Sequence, residues 1–549
     1  MSGERGSRGG GRRRPVAAPG QAFGSAVRRG VPLLICLAAL NGCSSLLKER
    51  APDRADKHQP WRVHCETATS HRPDGEHVNK GVSKSHWLVA LDADKAPFQL
   101  QGVLQDGFLR LDSGQPTEDQ LREGCIRALT LKKREQANEI ARILAFRESE
   151  RVNVAIEYPV EGEPGVRRLI IFGDSLSDTG NIKARLRVFP AAPYWIGRFS
   201  NGPMWPDYIQ TMSTLSTQNH AVGGASVSGK DTIPKVNLIQ RIQDGGQFFV
   251  SGTTGQQIDL FSEKFMTGER LAEPETTAVL IWGGANDYIS KEPFSGAIET
   301  LLDRRDQPGG YPDVVAAVIA RLEQQIQTLL DLGATRILVG NLPDLGLTPI
   351  VLENETYAAR LELSETERRL RLSQRLTSLT EHHNREVFQL LEALRARNPQ
   401  ADLALFDARL LFDDILDFDT YANFDLDTAA DFDVTANSRP LGDETDTGSR
   451  TYQSRCYTGS YMGESSLHSI CDNPQRSVFW DAVHPTTYVH CWIAFGIHDR
   501  MSELDWVPGR RDIGEVGSWC GTVADVVAGH EELRAMRYGV REEALSPLD

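Results

Sequence analysis

Residues 168–181 read Arg-Leu-Ile-Ile-Phe-Gly-Asp-Ser-Leu-Ser-Asp-Thr-Gly-Asn, a short apolar run closed by glycine and then by turn residues. An unbroken apolar run of this length suits a strand buried on both faces, as in a parallel sheet. Strand candidates also fall at 218–222, 278–282, 336–340 and 403–406, with long helical or irregular stretches between them. Strands that alternate with helices predict a doubly wound α/β domain, whose sites form at the carboxyl ends of the strands. Gly173 is then expected to permit a tight turn, so that Ser175 projects from the end of the first strand as a candidate nucleophile. A lone Gly-Asp-Ser is weak evidence, because turns use these residues constantly.

Three further segments raise its weight. Phe479-Trp-Asp481-Ala-Val-His484-Pro-Thr places a carboxylate and an imidazole three residues apart, which one turn brings to the same side. Asp481 can then hold one ring nitrogen of His484 while the other takes a proton from Ser175, as in a serine hydrolase. Asn219-His-Ala-Val-Gly-Gly-Ala225 offers a backbone that a ligand can approach closely, and Trp282-Gly-Gly-Ala-Asn286-Asp-Tyr288 puts an amide after the third strand. An oxyanion hole needs such preorganised N–H donors.

These four blocks, in this order, resemble the GDSL or SGNH hydrolase superfamily. The resemblance implies a three-layer, flavodoxin-like α/β domain with a central parallel five-stranded sheet. It makes Ser175 the nucleophile, His484 the base and Asp481 its orienting partner. The Ser175 N–H, the Gly224 N–H and the Asn286 amide become the oxyanion donors, with Gly223 left open as a one-residue shift. An α/β-hydrolase elbow is disfavoured, since Ser177 stands where Gly-x-Ser-x-Gly requires its second glycine. Asp178-Thr-Gly-Asn181, Gly197-Arg-Phe-Ser-Asn-Gly-Pro203 with Trp205, and Gly-Ala-Asn-Asp-Tyr are similar to a lipolytic branch. That branch holds thermolabile, lecithin-dependent haemolysins and glycerophospholipid–cholesterol acyltransferases. The expected reaction is acyl transfer through an ester on Ser175, of phospholipase A or lysophospholipase type. A carbohydrate or short-acyl esterase, an acyltransferase to sterol and a catalytically dead surface lipoprotein are the alternatives. Tyr194, Trp195, Phe199, Trp205 and Tyr288 are candidates to line an acyl groove.

The chain has 549 residues, 40% apolar and 25% charged, enough to build ordinary cores. Acidic residues (75) outnumber lysine plus arginine (60), and residues 1–42 hold seven of the arginines against Glu4 alone. So acidic a body is a poor partner for nucleic acid. The basic start, the apolar run 31–40 and Leu40-Asn-Gly-Cys43 read as an export signal, residues 1–42. The last four residues resemble a bacterial lipobox, which implies lipidation of Cys43, with 43–60 as a tether to a membrane surface. The expected location is the outer membrane, as a lipoprotein, or the secreted fraction or cell surface.

Residues 61–160 read as a small α+β domain with strands at 87–91 and 98–104 and a helix from about Glu118 to Phe146. The hydrolase domain is expected over 166–530, with a tail at 531–549. Ser364 and Glu367 form a capping box ahead of Leu370, Leu372, Leu376 and Leu379. Residues 407–446 carry 12 acidic residues against two arginines and read as a solvated insertion. Six cysteines remain after Cys36 and Cys43, and proximity pairs Cys65 with Cys125, Cys456 with Cys471 and Cys491 with Cys520. No CxxC or HExxH occurs, so neither metal nor cofactor is expected; the expected partner is a lipid or other acyl ester.

Overall fold

The computed structural model describes residues 60–68, 86–132, 139–147, 152–159, 165–186, 189–213, 215–229, 252–289, 311–352, 365–415, 438–440, 451–453, 455–461, 470–471, 477–507 and 520. Residues 1–59 and 521–549, which include Cys43, lie outside them. All described residues belong to one compact unit, Asp56–Asp549.

The N-terminal sheet is built from β1 (Trp61–Ala68), β2 (His86–Val89), β3 (Gln99–Leu100), β4 (Gly102–Gln105), β5 (Phe108–Leu111), β6 (Glu139–Arg147) and β7 (Val152–Glu157). Their order is β2-β1-β6-β7-β5-β4, with β3 also on β1. Trp61, Val63 and Cys65 face one core on alternate positions of β1, the period-two pattern of a strand with one buried face. The helix predicted over 118–146 is two elements. Glu118–Leu131 is helical, with a capping box in which Thr117 and Gln120 satisfy each other's N–H groups. Residues 139–147 are instead strand β6, paired with β1 over seven positions. Tertiary pairing overrides the helix-compatible Ala, Leu and Arg content of that run. Cys65–Cys125 clips the helix to β1; Cys456–Cys471 and Cys491–Cys520 are also formed, as proximity predicts.

The second sheet is all parallel: β8 (Arg168–Gly173), β9 (Ser216–Asn219), β10 (Thr277–Trp282), β11 (Arg336–Gly340) and β12 (Asp402–Phe406). Its order, β12-β11-β10-β8-β9, reverses direction at β8, the doubly wound arrangement expected from the apolar runs. Every residue of β8 and β10 is buried, because one apolar cluster covers each face. Burying a Val, Leu or Ile side chain fully is worth about 1.5–3 kcal/mol, so these central strands anchor the fold. One cluster includes the helix Thr487–Glu503, which is buried nearly all round. The other includes helices Thr254–Lys264, Tyr311–Asp331 and Glu365–Arg397. Leu372, Leu376 and Leu379 are buried as their spacing predicts.

The acidic stretch divides. Ala408–Ile415 is a helix whose Leu411, Phe412 and Ile415 pack into the core, so the chain is still hydrolase core where a solvated insertion is expected. Residues 416–437 and 441–450 lie outside the described residues. Among the described residues no helix is long and apolar enough to cross a membrane.

Buried ion pairs join the two sheets. Arg168, at the start of β8 and fully buried, donates to Glu157 of β7 at 2.8 Å. Glu66 of β1 accepts from Arg142 at 2.6 Å and from fully buried Arg198 at 3.1 Å. Arg142 also reaches Thr179 Oγ1, four residues beyond Ser175.

Candidate functional site

Ser175 sits in the turn that leaves β8. The Asp174 carboxylate accepts from the Leu176 N–H and the Asp174 carbonyl from the Ser177 N–H, which closes that turn. Gly173 is needed for a reason other than the expected one. Its φ is not positive; a Cβ there would lie 2.4 Å from the Trp282 carbonyl oxygen of neighbouring β10. The Gln257 amide bonds both the N–H and the C=O of Gly173, fixing the strand end.

Asp481 and His484 meet in a closed loop rather than on a helix. Oδ1 of Asp481 accepts from the backbone N–H groups of Val483 and His484, each at 2.8 Å, and Trp480 N–H bonds the His484 carbonyl. Only beyond it, capped by Thr486, does the helix Thr487–Glu503 begin. The geometry forms a chain: His484 Nε2 lies 2.7 Å from Ser175 Oγ, and His484 Nδ1 lies 2.8 Å from Asp481 Oδ2. All three residues are buried, with Ser175 the most exposed at 8%. Burial acts to raise the Asp481 pKa, but His484, the Val483 N–H and the Tyr194 hydroxyl outweigh it and hold the carboxyl below its usual range.

The glycine block is placed by Asp178, whose carboxylate gathers four backbone N–H groups: those of Gly180, Asn181, Ile182 and Gly223. This settles which glycine borders the site. Gly223 donates to Asp178, and a Cβ on it would strike the Phe199 ring at 2.3 Å. Gly224 adopts φ +78°, in the left-handed region that favours glycine, and lines the pocket with Ser175 and Asn286. Among the described residues, neither the Ser175 nor the Gly224 N–H has an acceptor. The Asn286 amide donates to Ala225 O at 3.0 Å and to Asp174 Oδ2 at 3.2 Å. Burial pushes Asp174 up to about 6.

The pocket wall is mostly apolar away from these groups: Leu176, Ile289, Leu345, Ile350, Phe412 and Val483 contribute to it. Of the five aromatic residues expected to line a groove, only Phe199 borders it. Tyr194 is buried behind Asp481, donating to its Oδ2 at 2.7 Å. Trp195 stacks against the Arg198 guanidinium, Trp205 bonds Ser177 Oγ within the core, and Tyr288 bonds His383. His383 is thus a core histidine, and burial lowers it to about 3. The supporting roles of Asp174, Asp178 and Tyr194 are not apparent in the sequence, where Asp178 stands out only within its Asp-Thr-Gly-Asn block and Tyr194 only as a candidate for the groove. Among the described residues no group of three or more His, Cys, Asp or Glu is arranged to hold a metal ion.

The chain is 25% identical over 374 residues to a phosphatidylcholine-sterol acyltransferase of Aeromonas hydrophila, covering 60% of this chain and 88% of that protein. It is 24% identical over 443 residues to a thermolabile hemolysin of Vibrio parahaemolyticus, covering 78% of this chain and 86% of the relative. Among solved structures, a possible lipase from Chitinophaga pinensis aligns with 62% of this chain and 99% of its own, at 10% identity and a TM-score of 0.25. The profile of the GDSL-like Lipase/Acylhydrolase family matches residues 169–496, from the strand before Ser175 to the helix after His484, and the chain belongs to that family.

Proposed function

We propose that the protein is a serine esterase that cleaves acyl esters of phospholipids, of phospholipase A or lysophospholipase type. The observation that carries this reading is the Ser175–His484–Asp481 chain at 2.7 and 2.8 Å, opening into a pocket with an apolar wall. His484 removes the Ser175 proton as Oγ attacks the ester carbonyl, and the tetrahedral oxygen takes the N–H groups of Ser175 and Gly224. Asn286 supplies a third donor by exchanging its longer bond, to Asp174, for the oxyanion. His484 then protonates the departing alcohol, and water, activated by the same imidazole, releases the fatty acid. No step needs a metal.

The phospholipid assignment draws on the two bacterial relatives and on the pocket wall. In the same reading the protein is exported and held at a membrane by lipid on Cys43. Phosphatidylcholine vesicles incubated with the mature protein, beside its Ser175→Ala variant, test the activity. Free fatty acid and lysolipid from the first protein alone are expected, and added cholesterol tests for acyl transfer. Cleavage of short acyl esters without any attack on the lipid would overturn the phospholipid assignment. Loss of radiolabelled palmitate from a Cys43→Ala variant tests the anchor.

A further inference from the structure

Asp481 does not face His484 alone. A carboxylate offers about four lone-pair sites, and here four donors converge on it. The Val483 and His484 N–H groups occupy Oδ1, the imidazole lies against both oxygens, and the Tyr194 hydroxyl reaches Oδ2 at 2.7 Å. Three of these donors are local to the loop 480–484. Tyr194 comes from 287 residues away, so this bond cannot be a by-product of turn closure.

The phenol is held in place as firmly as its target. Its ring lies edge-on to Tyr457 at 5.6 Å and to Trp480 at 6.2 Å, the favoured arrangement for aromatic pairs. Tyr457 is in turn stacked on Trp480 and donates its N–H to the Trp480 carbonyl, adjoining Asp481. Tyr194 is 1% exposed. Burial and the Asp481 charge raise its pKa well above the usual value, so it remains a donor wherever His484 can act as base.

We propose that Tyr194 is a positioning residue for the reaction, acting through Asp481. Its hydroxyl fixes the carboxylate plane so that Oδ2 faces His484 Nδ1, and it withdraws part of the Asp481 charge from the imidazole. The inference rests on the esterase reading above, because it assigns a role within that reaction. The titratable groups facing this pair are few. Asp174 and His490 act on His484 through space. Tyr461 packs against the His484 ring and feels Asp481 and Arg455; Tyr457 faces Tyr194. None of them donates to Asp481 Oδ2.

The test is Tyr194→Phe, which keeps the ring and removes one charge-assisted hydrogen bond. With short-chain p-nitrophenyl esters, kcat is expected to fall about tenfold with KM unchanged, the scale of one hydrogen bond to a charged group. The acid limb of the kcat/KM profile is expected to move to higher pH, because a less neutralised Asp481 favours the imidazolium. A structural role would lower activity without moving that limb. The cycle is closed in an Asp481→Asn background, where adding Tyr194→Phe should cost less than twofold. Unchanged kcat, an unmoved acid limb or multiplicative losses in the double variant would each overturn the inference. A parent protein with no esterase activity at all, matching its Ser175→Ala control, would instead sink the esterase reading itself.

Discussion

Replacing Asp178 by Asn tests whether one carboxylate holds the site's backbone in register. The two side chains have nearly the same shape, so packing is preserved. In the parent protein each oxygen accepts two N–H groups: Gly180 and Asn181 on Oδ1, Ile182 and Gly223 on Oδ2. An amide keeps only one oxygen, so two of the four N–H groups are left facing an NH2 in a buried site. A buried donor without an acceptor costs about 1–3 kcal/mol, giving about 2–6 kcal/mol for two of them. Burial pushes the Asp178 carboxyl above its usual pKa, so removing its charge offsets part of this loss. The expected net destabilisation is about 2–4 kcal/mol. Urea unfolding followed by tryptophan fluorescence should show a lowered midpoint with an unchanged slope. The same variant should lose about a hundredfold in kcat, the scale of one displaced oxyanion donor, because the Gly223 tether sets the position of Gly224. An unfolding free energy within about 0.5 kcal/mol of the parent, or kcat within twofold, would refute the idea that Asp178 organises the site.

Asp174 gives a pH signature. Its pKa, about 6 against 3.8, is raised chiefly by burial, so the folded chain holds that proton more tightly than the unfolded chain. Its contribution to stability therefore falls as pH rises from about 4 to about 6 and is level above that, a loss of about 3 kcal/mol. The stability difference between Asp174→Asn and the parent should grow across that window; a difference constant with pH would contradict it. Removing the Cys65–Cys125 bridge, which spans 60 residues, should cost about 4 kcal/mol on the chain-entropy relation. The Cys65→Ser, Cys125→Ser double variant, measured by urea unfolding, checks this, and parental stability would count against it.

How far the sequence carries depends on what holds each part together. The parallel sheet is legible because strands buried on both faces must be apolar throughout, and β10 and β11 fall where the runs 278–282 and 336–340 place them. The second strand is offset: it is expected at 218–222, but β9 is Ser216–Asn219, although the His220 and Val222 N–H groups beyond it still bond the carbonyls of residues 171 and 173 in β8. The site residues are legible because each stands in a short block at a strand end or in a tight loop. Their supports are not. Tyr194 meets Asp481, and Asp178 meets Gly223, only after chain segments far apart in sequence have packed. The N-terminal sheet is the least legible part. The alternation of Trp61, Val63 and Cys65 is present in β1, but β6 carries residues equally suited to a helix, and pairing decides its state.

The charges between the two sheets bear on how the chain can be divided. A shortened protein beginning at residue 165 would retain every residue around Ser175, yet it would lose Glu157 from Arg168 and Glu66 from Arg198. Both guanidinium groups are fully buried; Arg198 would keep Asp207 at 2.8 Å and Arg168 only its longer contact to Glu273 at 3.6 Å, so the shortened protein is expected to be less stable than the full chain. If residues 61–157 support the second sheet in this way, the shortened protein should unfold at a lower urea concentration than the full chain, and an equal midpoint would show them to be a detachable module.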